Sequence, residues 1–298
     1  MDVGLVGTGR LGSAIGTRLL ECEHRLFVWN RTDEKARPLV DRGAIRCATP
    51  ADLAATARTV LSVVTDASAI ESVYFGSNGL LTNGGEGKTF VELSTVRPET
   101  QRRLAERVRA CGGVMVECPV SGTASTALQG KLLALAAGDA EDVERVRPLL
   151  GELCRRVDHV GPIGAGASVK LAINLPLIVY WQALSEALSL IDHLGMDPHQ
   201  VVNLLADTSG GPNVLRMRGE AIAEALAGRD PGPAHFTVGV LRKDLRAMLE
   251  EAAGLGAELP VVATVLACYE KTTGESFDTD GVKLPAIWLE HLRTRKGA

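Results

Sequence analysis

The sequence of 298 residues lacks the patterns of several classes of site and partner. Its six cysteines form no C-x-x-C pair and its six histidines show no H-x-x-x-H spacing, so no metal site is predicted. Reduced thiols in a cytosolic protein are the simpler interpretation of the cysteines. The net charge of −4 and the pI near 5.9 show no global basic bias, which argues against nucleic acid or an anionic membrane as a partner.

The chain also shows no targeting or membrane segment. The N-terminus has no charged n-region and no cleavage site, because its apolar run is the first strand itself. The longest apolar stretch, "INLPLIVYWQALSEALSLI", is interrupted by Pro176, Gln182 and Glu186 and is typical of a buried helix rather than a membrane span. With 46% hydrophobic and 23% charged residues, the composition is that of a soluble globular protein. We therefore expect a cytoplasmic location.

The pattern of the chain changes near residue 162. Before it, short apolar runs ("RTVLSVV", "KTFVELS", "GGVMVEC", "LLALAAG") alternate with helical patterns such as "PETQRRLAERVRAC". After it, the pattern is helical over residues 167–193, 197–206, 213–227, 236–255, 260–273 and 281–295. The predicted fold class is therefore α/β: a doubly wound sheet over residues 1–162, then a long interdomain helix and an all-α domain over residues 163–298. The first long helix is apolar almost all round and is expected to run through the interior between the domains.

Three glycines near the N-terminus predict a dinucleotide site. In "DVGLVGTGRLGSAIG" an apolar run leads into Gly7, Gly9 and Gly12, with the spacing G-x-G-x-x-G. The first glycine suits a tight turn, the second a close approach of pyrophosphate to the backbone, and the third the packing of helix on sheet. The anion would then lie on free N–H groups at a helix N-terminus. The alternative is a merely glycine-rich turn.

The second strand ends without the acid that usually follows it in such folds. In "LFVWNRTDEK", Asn30 stands 23 positions after Gly7, about where an Asp or Glu would bind the ribose 2′-hydroxyl. Arg31 and Thr32 offer instead a planar cation and a hydroxyl donor, which suit a 2′-phosphate. The pattern therefore favours NADP over NAD, although Arg31 could also be an ordinary surface charge.

One lysine stands on the apolar helix that follows residue 162. Lys170 is flanked by Val169 and Leu171, and Asn174 lies one turn later on the same face. A buried ammonium is costly, and a desolvated lysine has a lowered pKa that suits a general acid or base. The alternative is a structural lysine that snorkels to the surface.

Polar residues at two predicted strand ends and on a late helix add to this site. "ELSTVRP" places Ser94 and Thr95 at a carboxyl end, where doubly wound folds bind ligands. "ECPVSGTAST" does the same with Ser121, Gly122 and Thr123, whose N–H groups would form a small anion nest. "FTVGVLRKDLRAM" carries a Lys-Asp pair, residues 243 and 244, on a helix. Each of these could also be ordinary turn or helix chemistry.

Together these motifs resemble the β-hydroxyacid dehydrogenase family, which includes 3-hydroxyisobutyrate dehydrogenase, tartronate semialdehyde reductase and glyoxylate or succinic semialdehyde reductases. The resemblance runs from "GLVGTGRLGSAIG" through "ELSTVRP", "CPVSG" and "GASVKLAIN" to "FTVGVLRKDL" in the family's order. It implies a Rossmann domain and a C-terminal helical domain of the 6-phosphogluconate dehydrogenase type, which commonly oligomerises as a dimer or tetramer. The resemblance also implies NADP as the cofactor, because Asn-Arg-Thr after the second strand resembles the pattern of the members that prefer NADP.

The resemblance also implies a role for each candidate residue. Lys170 and Asn174 are the implied catalytic residues. The implied substrate is a small, carboxylate-bearing molecule, and its implied contacts are Lys170, Ser94, Ser121, Gly122 and Thr123. The implied cofactor contacts are Gly7, Thr8, Gly9, Arg10, Leu11, Gly12, Asn30, Arg31, Thr32, Val64, Thr65, Thr95 and Lys243. The chemistry expected is hydride transfer between the nicotinamide and a carbinol carbon, with Lys170 moving the proton.

Departures from the family pattern surround the substrate residues. Thr123 and Thr126 stand where glycines are usual, Glu117 and Cys118 replace Asp-Ala, and Leu175 followed by Pro176 replaces a second asparagine. Pro176 removes a helical hydrogen bond and is expected to kink the helix. Two alternatives stay open: an imine reductase, although such enzymes generally carry another residue at the lysine position, and a non-catalytic NADPH-binding protein.

Overall fold

A computed structural model of the chain describes residues 1–234, 236–273 and 278–296. The chain divides into two compact units, Met1–Leu171 and Ala172–Ala298. The N-terminal unit holds the sheet, and the C-terminal unit is built from helices.

The N-terminal unit is a mainly parallel sheet, as predicted. Strands β1 to β6 run parallel to one another in the order β3-β2-β1-β4-β5-β6, which is the order of a Rossmann fold. β8 is antiparallel to β6 and β7 and parallel to β9. The strands are β1 Asp2–Val6, β2 Arg25–Trp29, β3 Ile45–Arg46, β4 Thr59–Ser62, β5 Thr89–Glu92, β6 Val114–Glu117, β7 Val120–Ser121, β8 Leu132–Ala137 and β9 Cys154–Gly161.

Helices cover both faces of this sheet. One core contains Leu5, Ile15 and Val91, and the other contains Tyr74, Phe90 and other large side chains. Burial on both faces explains why the central strands are continuous apolar runs rather than alternating ones. The helices are α1 Arg10–Glu21, α2 Arg37–Val40, α3 Pro50–Thr56, α4 Ala67–Phe75, α5 Pro98–Ala110, α6 Ala124–Leu128 and α7 Ala140–Leu153.

The long helix α8, Ala165–Ile191, begins in the first unit and continues into the second. It runs without a break through Pro176, and a 3-10 turn, Asp192–Leu194, follows it. By length and composition the segment Ala165–Leu194 could span a membrane, a criterion that the core helix of a soluble protein also meets. Of its apolar 18-residue window 44% is buried, which is less than expected for a helix that runs through the interior.

The rest of the C-terminal unit is helical, as predicted. In its described residues the only β feature is an isolated bridge between Thr237 and Asp280. The first three residues of the helix predicted to start at 281 form a 3-10 turn, Gly281–Lys283, because Asp280 caps them by accepting a hydrogen bond from the Val282 N–H. The helices are α9 Pro198–Ala206, α10 Asn213–Leu226, α11 Val238–Gly254, α12 Pro260–Thr273 and α13 Leu284–Lys296.

Candidate functional site

The turn between β1 and α1 is shaped by glycines with different tasks. Gly7 has φ of +89°, and a Cβ there would lie 2.1 Å from the carbonyl oxygen of Val63. A Cβ at Gly12 would lie 1.9 Å from the Gly7 carbonyl oxygen, so both positions exclude a side chain. A Cβ at Gly9 would meet nothing within 4 Å. Gly9 therefore leaves open space above the turn, as the close approach of a ligand to the backbone requires.

The N-terminus of α1 fits an anion. Its N-cap, Gly9, makes no side-chain cap hydrogen bond, and the first turn carries no acid. The positive end of this 12-residue helix is therefore not neutralised by its own side chains. Thr8 beside it is 2% exposed, and its hydroxyl has no hydrogen-bond partner in the described structure. Arg10 is exposed, whereas Leu11 packs against the core. The turn thus fits the diphosphate of a dinucleotide, with Leu11 on the side of the core.

Asn30 connects this turn to the end of β2. Its Oδ1 accepts the Thr8 N–H at 2.9 Å, and its Nδ2 donates to the Thr32 carbonyl at 2.7 Å. Arg31 and Thr32 are exposed, and Arg31 forms no ion pair within residues 1–234, 236–273 and 278–296. An amide thus occupies the place of the usual acid, and the neighbouring guanidinium is available to a phosphate.

The loops after β4 and β5 are joined by Ser94. Its Oγ accepts the Val64 N–H at 2.8 Å, and its own N–H donates to Oε1 of buried Glu92 at 2.8 Å. Ser94 is 3% exposed, so the structure gives it a part in holding the two loops, and its contact with substrate stays a prediction. Thr65 is exposed and Thr95 half-buried at the same edge of the sheet.

The turn after β7 differs from the expected anion nest. Ser121 ends β7, and Gly122 follows with φ of +142°. Thr123 caps α6, and its N–H donates to the hydroxyl of Thr126 at 2.7 Å. The expectation of three free N–H groups is therefore wrong for Thr123, because the threonine at 126 brings an acceptor where glycine would bring none. The Thr123 hydroxyl accepts only a long 3.4 Å bond from the Thr126 N–H and keeps its own proton for an acceptor.

Lys170 lies in the second turn of α8 and is 8% exposed. Asn174 follows one turn later at 4% exposed, so both predicted residues are buried on one helix. Helix geometry places their Cβ atoms about 5–6 Å apart.

Asn174 belongs to a buried polar cluster of the C-terminal unit. Its Nδ2 donates to Oδ2 of Asp244 at 2.8 Å, and the Lys243 ammonium lies 3.1 Å from Oδ1 of the same carboxylate. Asp244 is 1% exposed, so this amide and this cation compensate a charge that would otherwise be costly to bury. Sequence reasoning assigned Asp244 no role. A signal was available, because 244 falls on the buried stripe of α11 with 241, 245 and 248.

Two other features of the C-terminal unit lie apart from the predicted residues. An apolar groove of about 320 Å³ between α8 and α12 is lined by Val179, Val261 and their neighbours, and includes none of the predicted site residues. His199 and two glutamates of α10 place their ligand atoms within 4.8 Å of one another. The Arg229 guanidinium donates to one of those glutamates and contacts the imidazole, which makes this an ion-pair cluster on the surface.

Both parts of the chain match families of known proteins. Residues 2–161 match the family described as NAD binding domain of 6-phosphogluconate dehydrogenase, and residues 164–283 match NAD-binding of NADP-dependent 3-hydroxyisobutyrate dehydrogenase. Glyoxylate/succinic semialdehyde reductase 1 of Arabidopsis thaliana is 31% identical over 91% of this chain and 92% of its own length.

Solved structures share the fold. The structure of Psf3 in complex with NADP+ and 2-OPP has a TM-score of 0.86 and 27% identity, covering 97% of this chain and 99% of that one. An imine reductase from Streptomyces aurantiacus has a TM-score of 0.61 at 19% identity over 98% of this chain and 99% of that one, a likeness of fold alone. The two matched families and the semialdehyde reductase relative show that the chain belongs to the β-hydroxyacid dehydrogenase family of nicotinamide-dependent oxidoreductases.

Proposed function

We propose that the protein is an NADP-dependent dehydrogenase or reductase of a small β-hydroxy acid or its semialdehyde, with Lys170 as general acid and base. The observation that carries this proposal is a lysine 8% exposed on a largely apolar helix, one turn before a buried asparagine that a buried carboxylate holds in place. A structural lysine would usually extend its ammonium to the surface instead.

The preference for NADP rests on the end of β2. Asn30 has no carboxylate to accept a hydrogen bond from a ribose 2′-hydroxyl, and its carbonyl oxygen already accepts the Thr8 N–H. Arg31 is exposed beside it and can form charge-assisted hydrogen bonds to a 2′-phosphate. The nicotinamide, when bound, supplies or accepts the hydride.

The proton is the task of the protein's own residues. In the reducing direction Lys170 donates a proton to the substrate's carbonyl oxygen, and in oxidation it takes the proton back. Asn174, fixed by its bond to Asp244, orients the lysine or the substrate oxygen.

Substrate recognition falls to the turn after β7. With the Thr123 N–H bonded to Thr126, the donors left for an anion are the N–H groups near Gly122 and the hydroxyls of Ser121 and Thr123. These donors suit a carboxylate on a compact molecule. We infer a preference for a 3-hydroxy or 4-hydroxy acid, or its semialdehyde, over the uncharged ester.

Two alternatives belong to other classes. An imine reductase would use the same cofactor on cyclic imines, and Lys170 counts against it. A non-catalytic NADPH-binding protein would need the glycine turn and the end of β2 but no buried proton donor.

The remaining properties are proposed from composition and exposure. Large apolar side chains are exposed on the C-terminal unit, including Leu190 at 76%, Leu255 at 73% and Met217 at 65%, and covering them would favour a homodimer or homotetramer. All six cysteines are free, which suits a reducing cytoplasm. Nucleic acid, membrane and metal have no part in the proposal.

The test is a turnover assay with NADPH against semialdehydes, 2-keto acids and cyclic imines. We expect oxidation of NADPH with a carboxylate-bearing semialdehyde and little with imines. Selective turnover of imines would support the imine reductase. NADPH binding without turnover of any of the three classes would support the non-catalytic protein.

A further inference from the structure

A buried glutamate of the sheet caps the helix that carries Lys170. Glu117 ends β6 and is 0% exposed. Its Oε2 accepts the Gly164 N–H and its Oε1 accepts the Ala167 N–H, each at 2.5 Å, and the Gly166 N–H also donates to the carboxylate. The residues it caps are 47 and 50 positions away in the sequence.

The cap fills a place that α8 leaves empty. The Ser168 N–H bonds the Gly164 carbonyl at 3.1 Å, so Gly164 is the N-cap residue, and glycine has no side chain to offer the first-turn N–H groups. The first turn of α8 carries no acid either. Glu117 therefore supplies from the sheet the oxygen atoms that an N-cap side chain usually supplies.

The start of α8 is also fitted closely to the strands. A Cβ at Gly166 would lie 2.7 Å from the Leu135 carbonyl oxygen and 3.1 Å from Cδ of Glu117. The first turn therefore packs directly on the backbone of β8 and on the capping carboxylate. This close contact fixes both the position and the rotation of the helix at its first turn.

Lys170 lies one turn beyond this anchor. It follows Ala167 by three residues and Gly166 by four, so it shares the capped face of the helix at a rise of about 4.5–6 Å. Cα–Cβ bonds of a helix tilt toward its N-terminus, that is, toward the capped turn. A shift of the first turn would therefore move the lysine by a similar amount.

We propose that Glu117 is a positioning residue for Lys170, and that its carboxylate holds the first turn of α8 so that the lysine meets the substrate oxygen. The inference rests on the proposed role of Lys170. Its second consequence is electrostatic: the carboxylate offsets the positive end of the helix dipole, which would otherwise disfavour the ammonium in the next turn.

The surroundings of the carboxylate set the pH range of this effect. Burial raises the pKa of Glu117 to about 7, while the three backbone N–H groups and the nearby Arg102 of α5 lower it. On the neighbouring strand Glu92 is paired in register with Glu117, and burial raises the pKa of Glu92 as well. The charged, capping form of Glu117 therefore becomes dominant as the pH rises through about 7.

The test compares Glu117→Gln with wild type in turnover and in the chemistry of Lys170 itself. The amide keeps the size of the side chain but loses the charge and turns an NH₂ group toward backbone donors. We expect kcat to fall about 10- to 100-fold with the Kd of NADPH changed less than about twofold. The pH midpoint for acylation of Lys170, followed by mass spectrometry, should move down, and a limb of the kcat profile near pH 7 should disappear.

Further variants separate positioning from a general loss of stability. Glu117→Asp keeps the charge on a shorter side chain and should recover part of kcat. Gly166→Ala retains the charge of Glu117 but displaces the first turn, and it should lower kcat without weakening NADPH binding. The matched control is Asp197→Asn, which removes a carboxylate that accepts the Gln200 N–H at 3.0 Å at the start of α9. It should leave kcat unchanged.

The outcomes are distinct from those of the proposed function. The inference is overturned if Glu117→Gln and Gly166→Ala both keep the wild-type kcat and Glu117→Gln keeps the Lys170 acylation midpoint. Normal turnover of Lys170→Ala would instead remove the proposed function. If Glu117→Gln does not fold, Glu117→Asp and Gly166→Ala decide by the same two measurements.

Discussion

Replacing Arg31 with alanine should weaken the binding of NADPH and leave the binding of NADH almost unchanged. Arg31 is exposed directly after β2, beside an asparagine whose carbonyl oxygen is already engaged by the Thr8 N–H. Because the described residues give Arg31 no ion pair, its removal breaks no salt bridge within them. The loss should appear only when a ligand carries the 2′-phosphate.

The magnitude follows from the exposure of the side chain. A hydrogen bond to a charged group contributes about 1.5–3 kcal/mol, and exposure to solvent and salt places Arg31 at the lower end. A loss of about 1.5 kcal/mol corresponds to a roughly tenfold rise in the Kd of NADPH. The Kd of NADH should change less than about twofold, well inside one decade of affinity.

Fluorescence titration of both cofactors measures the effect. The matched control is Arg25→Ala, which removes the same charge at the opposite end of β2, where Arg25 lies 3.8 Å from Asp2. The control should keep the wild-type preference, and the wild-type Kd of NADPH should rise with salt more steeply than that of Arg31→Ala. Equal Kd values for NADPH and NADH in the wild type, or an equal loss in the control, would refute the assignment.

Three more predictions follow from the same geometry. Gly9→Ala should fold normally but bind NADPH more weakly, whereas Gly12→Ala should be less stable because its Cβ would lie 1.9 Å from a carbonyl oxygen. Thermal unfolding and NADPH titration measure the two effects, and the reverse result would contradict the roles given to these glycines. Burial raises the pKa of Glu117 from 4.5 to about 7, so between these two pH values the folded protein keeps a proton on Glu117 that the unfolded chain releases. The free energy of unfolding should therefore fall by on the order of 3 kcal/mol as the pH rises from about 4.5 to 7. Urea unfolding should show this fall in the wild type and not in Glu117→Gln, and the same pH dependence in both proteins would contradict the prediction. Thr123→Gly should relax size selection while acids stay preferred over methyl esters in kcat/KM, and an ester turned over as well as its acid would exclude the anion contact.

Local rules predicted the N-terminal unit well. The glycine turn and the parallel strands follow from periodicity and from residues with fixed backbone preferences, such as Gly7 at positive φ. β9 was missed because "CRRVDHVG" carries charged residues at exposed positions, as an edge strand pairing only with β8 can. The reversal of direction at β8 has no local signature either, since an apolar run is compatible with both orientations.

The predictions for the site failed where the answer depends on hydrogen bonds that form inside the folded protein. Thr123 was expected to donate its N–H to a ligand, but this N–H donates to the hydroxyl of Thr126 instead. Asp244 and Glu117 found their partners 70 and 47 positions away, at Asn174 and Gly164, and no spacing rule connects such positions. Sequence patterns identify residues suited to chemistry, and the fold decides which of them are already engaged.

The central claim is that Lys170 moves the proton, and the most direct measurement is single-turnover oxidation of NADPH by Lys170→Ala and Lys170→Arg with a substrate that the wild type turns over. Both variants should fold and bind NADPH, since the lysine lies outside the glycine turn and the end of β2. We expect the chemical step to slow about 100-fold or more in each, because alanine has no proton to give and guanidinium does not release its own. A chemical step within a few-fold of wild type in either variant would contradict the account.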